Sequence, residues 1–79
     1  MMTPTGRAAA RRLGLSHREV EVVEHLMAGR DTSEIAERLH LEPQTIRNIT
    51  HRIGRKLGVS GRLRIVARAH ELDAGTREG

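Results

Sequence analysis

The apolar residues of this 79-residue chain recur at helical spacing, and the pattern predicts four helices and no strand. The first helix covers about residues 17–28, where Val20, Val23 and Met27 lie at i, i+3 and i+7 on one apolar stripe. Gly29 is expected to end this helix, because glycine readily adopts the left-handed backbone that follows many helices.

A second, shorter helix of about two turns is predicted next. Asp31 and Glu34 stand three residues apart, the spacing of a capping box in which both side chains accept hydrogen bonds from backbone N–H groups. Ile35, Ala36 and Leu39 supply its apolar face. Residues 40–42 then form a tight connection.

A third helix should begin at Pro43, since the missing N–H of proline has no partner at a first helical position anyway. It runs to about residue 57, and Gly58 is expected to end it. Ser60 is expected to cap a fourth helix, over about residues 61–72.

These helices predict an all-α, four-helix domain over residues 15–72. Residues 1–14 are interpreted as a flexible basic arm and residues 73–79 as a frayed tail. One small domain leaves little room for a buried active site. We therefore predict no catalysis.

The amino-acid composition argues against several kinds of functional site. The chain has no Cys, which excludes thiolate zinc sites, and its five His are too scattered for a metal site, so neither a metal nor another cofactor is expected. It has no aromatic ring, which argues against the stacking of unpaired bases. No signal peptide or membrane span is predicted, so we expect a cytoplasmic protein.

The charges are divided between the two halves of the domain. Residues 17–42 carry seven acids and three bases, whereas residues 43–70 carry seven bases and no acid. The second half therefore suits a polyanion.

The predicted third helix has two different faces. At about 100° per residue, one side is apolar and the other is polar and basic. The apolar side holds Ile46, Ile49, Ile53 and Leu57, and the polar side holds Gln44, Arg47, Asn48, His51, Arg52 and Arg55. A short helix, a tight turn at Leu41 and a longer helix with such a face make a helix-turn-helix, which places its second helix in the major groove of duplex DNA. Arg47 can bridge two guanine acceptors, and Asn48 can pair with adenine through two hydrogen bonds.

Short motifs at characteristic spacings run from residue 15 to residue 69. They are Leu15-Ser16, Arg18-Glu19, Glu21-Val22, Gly29, Glu34-Ile35-Ala36, Leu39, Thr45-Ile46-Arg47-Asn48, Arg55-Lys56-Leu57-Gly58-Val59 and Arg62. In these motifs the segment resembles the LuxR-type DNA-binding domain of bacterial response regulators and quorum-sensing regulators. The resemblance implies a transcription regulator that binds double-stranded DNA through the third helix and is associated with the nucleoid when bound.

The resemblance also assigns roles to single residues. It implies base contacts from Arg47, Asn48 and His51, and phosphate contacts from Thr45, Arg52, Arg55 and Lys56. It suggests that Glu19 is a structural partner of a basic group such as Arg62. The fourth helix commonly forms a twofold dimer in this family, and we predict a homodimer in which Leu63, Val66 and Ala67 face the second copy.

Three residues depart from the family pattern. Glu42 stands where a Ser or Thr usually caps the third helix, and its charge would repel a nearby phosphate. Ile49 replaces a common His, which moves that position into the core. Gly54 replaces a bulky apolar residue and should cost about 1 kcal/mol unless another group approaches closely there.

Two alternatives stay open. The segment around Ile46-Arg47-Asn48-Ile49 also looks like the promoter-reading domain of bacterial sigma factors. Alternatively, the acidic surface of the first two helices contacts a protein, such as RNA polymerase or another regulator.

Overall fold

The computed structural model describes residues 1–75, and these form five α-helices without a strand. The helices are α1 (Pro4–Arg12), α2 (His17–Met27), α3 (Thr32–Leu39), α4 (Pro43–Leu57) and α5 (Arg62–Asp73). The four predicted helices correspond to α2 through α5, and the predicted all-α architecture is confirmed. Among the described helices, none is long and apolar enough to cross a membrane.

The flexible arm predicted for residues 1–14 is wrong, because α1 occupies most of it. The Thr3 hydroxyl accepts a hydrogen bond from the Gly6 N–H at 3.0 Å and caps this helix. Met2 and Ala10 are almost completely buried, at 2 % and 1 % exposure. Few large apolar residues lie in this segment, so its sequence shows no clear stripe, but alanine and glycine permit the close packing that holds it.

The packing of α1 on α5 depends on Gly6. A Cβ atom at this position would lie 2.6 Å from Oδ1 of Asp73. The Thr3 N–H also donates to this carboxylate. Asp73 was predicted as the first residue of a frayed tail, but it is the last residue of α5. Residues 76–79 of the predicted tail lie outside the described residues.

One aliphatic core joins the helices. Its buried residues are Val20, Val22, Val23 and Leu26 from α2, Ile35 and Ala36 from α3, Ile46, Ile49, Ile53 and Leu57 from α4, and Ile65 and Ala69 from α5, together with Met2, Ala10 and Leu15. Leu41, in the turn between α3 and α4, packs against this core. The turn itself begins at His40, whose φ of 58° is left-handed. The helix-turn-helix is therefore held by its turn as well as by its two helices.

The cap predicted from the sequence is present at α3, whereas the cap predicted for α5 is not. Asp31 and Glu34 form the predicted capping box, with side-chain-to-backbone distances of 2.8 and 3.0 Å. Ser60 is not the cap of α5, which was the prediction. Gly61 takes that position with a φ of 89°, and no side chain caps the helix. The reason is the backbone of the turn, which has a conformation that suits glycine rather than serine.

Gly54 lies in the interior of α4 where the chain folds back over the helix end. The Val59 N–H donates to the Gly54 carbonyl at 2.9 Å, and Gly58 has the left-handed φ of 73° that allows this reversal. A Cβ at Gly54 would lie 2.7 Å from the Val59 carbonyl oxygen. The close approach explains the glycine at this position.

We expect Gly54→Ala to destabilise the protein by about 1–3 kcal/mol, because a backbone oxygen would have to move. Helix propensity alone predicts the opposite, a gain of about 1 kcal/mol. Urea unfolding of both proteins distinguishes the two. Asn48→Ala, at an exposed position of the same helix, is the control and should not destabilise. A Gly54→Ala protein more stable than the wild type would contradict the close approach.

Candidate nucleic-acid interface

The two faces predicted for the third helix are present on α4. Ile46, Ile49, Ile53 and Leu57 are at most 7 % exposed, and Ile49 is in the core as its departure from the family pattern implied. On the opposite side, Gln44, Asn48, His51 and Arg55 follow one another at i, i+4, i+7 and i+11, and all four are exposed. These four residues form a ridge, which we call the α4 ridge.

Polar side chains at the start of the α4 ridge bind one another. Gln44 Nε2 donates to Asn48 Oδ1 at 3.1 Å, and Arg47 Nη1 lies 3.4 Å from Gln44 Oε1. Gln44 thus holds two of the predicted base-contacting residues together. The sequence places Gln44 on the polar face, but Gln44 is not among the predicted site residues. Its place one turn before Asn48 was the signal that could have included it.

One edge of this face is tied to α2 by a buried carboxylate. Glu19, only 3 % exposed, accepts from Arg52 Nε at 2.9 Å and from Lys56 Nζ at 2.8 Å. Its Oε1 also accepts from the Ser16 N–H at 2.8 Å, completing a capping box at the start of α2. Lys56 Nζ further donates to the Gly14 carbonyl at 3.0 Å. We call Glu19 with Arg52 and Lys56 the Glu19 cluster.

Glu19 is a structural partner of basic groups, as the resemblance suggested, but Arg62, the implied example, is not one of them. Arg62 instead donates to the Arg30 carbonyl, and so joins the start of α5 to the connection between α2 and α3. Two residues with an implied phosphate contact, Arg52 and Lys56, are the actual partners of Glu19. Their side chains remain 55 % and 34 % exposed, so each binds Glu19 while still reaching the surface.

The ionisation of Glu19 follows from this environment. Burial by itself would raise the pKa of the carboxyl group, but hydrogen bonds from Lys56, from the Ser16 N–H and from Arg52 outweigh it. The net effect lowers the pKa from 4.5 to about 2. Glu19 is therefore ionised at neutral pH and neutralises part of the positive charge of this edge.

The other edge of α4 borders an open cavity of about 400 Å³. Arg47, His51 and Arg55 line it from α4, and Thr32 and Arg62 line it from α3 and α5. Three guanidinium groups around one concave surface favour an anion. Both edges of the exposed face therefore carry positive charge, but within residues 1–75 only the Glu19 cluster edge is balanced by an internal acid.

The other residues singled out from the sequence lie at the start of α4 and on α5. Thr45 is half-buried in the first turn of α4, and Glu42 precedes this helix without a side-chain cap hydrogen bond. Leu63 is 85 % exposed and Ala67 is exposed, whereas Val66 packs partly against the core. The predicted dimer face thus has one large exposed apolar side chain.

The Glu19 cluster generates a stability prediction. Glu19→Gln should lower the free energy of unfolding at pH 7 by about 1–3 kcal/mol, because the amide replaces an ionised acceptor between two cations. Because the folded-state pKa is depressed, this advantage of the wild type is complete above pH 4.5 and is lost as the pH falls toward about 2.

Urea unfolding of wild type and variant between pH 2 and pH 7 measures this difference. Glu21→Gln is the matched control, because Glu21 is an exposed acid of the same helix, paired with Arg18. It should leave the free energy of unfolding nearly unchanged. A wild-type advantage over Glu19→Gln that is constant with pH would contradict the proposed role of the carboxylate.

Comparison with known proteins agrees with this arrangement of helices. The family model described as bacterial regulatory proteins, luxR family, matches residues 13–69, which include α2, α3, α4 and most of α5. No curated protein and no solved structure matches the chain in the corresponding comparisons. Since the match covers well over half of the 79 residues, the chain belongs to the luxR family of bacterial regulatory proteins.

Proposed function

We propose that this protein binds specific sites in double-stranded DNA and regulates bacterial transcription, with α4 in the major groove. The observation that carries the proposal is the exposed face of α4, in which amide and guanidinium groups stand on a helix backed by a buried aliphatic side. Residues 43–70 contain no acid, and Glu42, just before α4, is the acid nearest the start of this helix in the sequence that would repel a phosphate. The luxR family match supports this function over the sigma-factor alternative.

Base recognition is assigned to the first three turns of α4. Arg47 has the geometry to donate two hydrogen bonds to guanine, and Asn48 can donate to and accept from adenine. His51 follows Asn48 on the same exposed face. Gln44 links Arg47 and Asn48 in the free protein, and its amide is released to a base or phosphate when those side chains bind DNA.

Phosphate contacts are assigned to Thr45, Arg52, Arg55 and Lys56. Arg55 is exposed at the end of the α4 ridge and borders the cationic cavity. Arg52 and Lys56 form the opposite edge, where Glu19 fixes their direction. Cations on both edges of a recognition helix suit the two phosphate strands that border a major groove.

Base recognition by Arg47 can be tested after a preferred site has been selected from random duplexes. Arg47→Ala should lose about 1–3 kcal/mol of discrimination at one base pair, because the alanine cannot donate to a base edge. Fluorescence anisotropy with the selected site and with single-base variants measures it. Arg38→Ala, which removes an exposed cation from α3, should keep the preference. Unchanged preference in Arg47→Ala would exclude this recognition role.

A homodimer through α5 is part of the proposal. Leu63 is the exposed apolar side chain that a second copy would cover, with Ala67 one turn further on. Val66 contributes less, since it already packs on the core of its own domain.

We expect Leu63→Glu to shift the protein toward the monomer, because the charge would be buried in the interface. Sedimentation of wild type and variant, with and without a duplex of two half-sites, measures this shift. Affinity for a single half-site should be unaffected. A wild-type protein that is monomeric in both states would contradict the twofold arrangement.

A further inference from the structure

We propose that the end of α1 forms an additional DNA contact, in which Arg11 and Arg12 bind a phosphate of the same duplex that α4 enters. Both residues precede the segment matched by the family model, which begins at residue 13. The inference rests on the proposed function. It adds a second element to the interface and extends the contacts along the phosphate backbone.

The turn that follows α1 lies against α4. Lys56 Nζ donates to the carbonyl of Gly14, in the turn between α1 and α2. Ser16, at the end of the same turn, donates through its N–H to the carboxylate that binds Arg52 and Lys56. The turn that follows α1 therefore lies beside the edge of α4 formed by the Glu19 cluster, and Gly14 is only two residues after Arg12. A duplex against α4 would bring a phosphate strand to this edge.

The end of α1 is also ordered before any ligand binds. Met2 and Ala10 anchor the helix in the core, and Leu15 follows it into the same core. Arg11 Nη1 lies 2.7 Å from Nε2 of His17, at the start of α2, which holds the guanidinium near the turn. Since the backbone is fixed in advance, the contact costs less conformational entropy than one made by a disordered arm.

The charge of this surface favours an anion. No acid precedes Glu19 in the sequence, and Glu19 itself is shared by two cations of α4. Within residues 1–75, the carboxylates form no ion pair with Arg11 or Arg12, which are both exposed. Arg7, one turn earlier, differs in this respect because it pairs with Glu24 at 3.5 Å and donates to the Met2 carbonyl. The positive charge of Arg11 and Arg12 is therefore available to a ligand.

A duplex phosphate is the occupant that best matches these features. The surface is cationic, and its one large apolar group among the described residues is Leu13, which is 41 % exposed. It is also continuous, through Lys56 and Arg52, with the surface assigned to DNA. Such a contact neutralises charge without reading bases, so it adds affinity for every sequence.

The test is the double variant Arg11→Gln/Arg12→Gln, with Arg38→Gln/Arg68→Gln as a control that removes the same charge from α3 and α5. Binding to the selected site and to an unrelated duplex is measured over a range of salt concentrations. For each phosphate that is no longer neutralised, the Arg11/Arg12 variant should bind both duplexes about tenfold more weakly at about 0.1 M salt. The slope of its log binding constant against log salt concentration should also become shallower by about 0.9 for each such phosphate. Base preference should stay the same.

Further measurements exclude an effect on folding. Circular dichroism should show the same helix content and Tm for the double variant and the wild type. Arg11→Lys/Arg12→Lys keeps the charge and should retain the wild-type salt slope. A salt slope for the Arg11/Arg12 variant equal to that of the control pair would overturn the contact while leaving DNA binding by α4 intact. Failure of the wild type to prefer any duplex would instead overturn the proposed function.

Discussion

The carboxylate of Glu19 is the group on which the arrangement of the exposed surface depends. It closes the first turn of α2 through Ser16 and binds two cations one turn apart on α4. An aliphatic core can hold a helix against its neighbours but specifies its rotation about its own axis only loosely, because valine, leucine and isoleucine fill space in similar ways. The charged hydrogen bonds from Arg52 and Lys56 have defined directions. The core buries the apolar side of α4, and these hydrogen bonds hold one edge of its polar side against α2.

This arrangement gives the two edges of α4 different electrostatic character. The edge with Arg52 and Lys56 is partly neutralised and held in place, whereas the edge with Arg47 and Arg55 borders an open cavity and pairs with no acid in residues 1–75. A ligand that approaches the first edge meets side chains already directed by the protein. One that approaches the second meets cations whose charge is fully available. The two edges of the exposed face therefore differ in their available charge and in how firmly their side chains are held.

The sequence predicted the four helices α2 to α5 and both faces of α4, because large aliphatic residues at helical spacing leave a clear pattern. It did not predict α1, whose buried contacts come from Met2, Gly6 and Ala10, residues that give no clear stripe. In the candidate site, the exposed polar residues could be named from the helical wheel. The two partners of Glu19 could not be predicted from the sequence. They are separated from it by 33 and 37 positions along the chain, and such a pairing depends on how the helices pack. The reason for Gly54 could not be predicted either, because it depends on the position of the Val59 carbonyl oxygen, which the sequence does not give.

The contact between Thr3 and Asp73 joins residues 70 positions apart in a chain of 79. Bringing such distant segments together has a large entropic cost of loop closure. This cost is smaller once the intervening helices have folded. Docking of α1 is therefore expected late in folding, after the local pairing of α3 with α4. If α1 docks last, it is also the element expected to detach first on warming. The surface near Arg11 and Arg12 would then disappear at a temperature at which α4 is still folded.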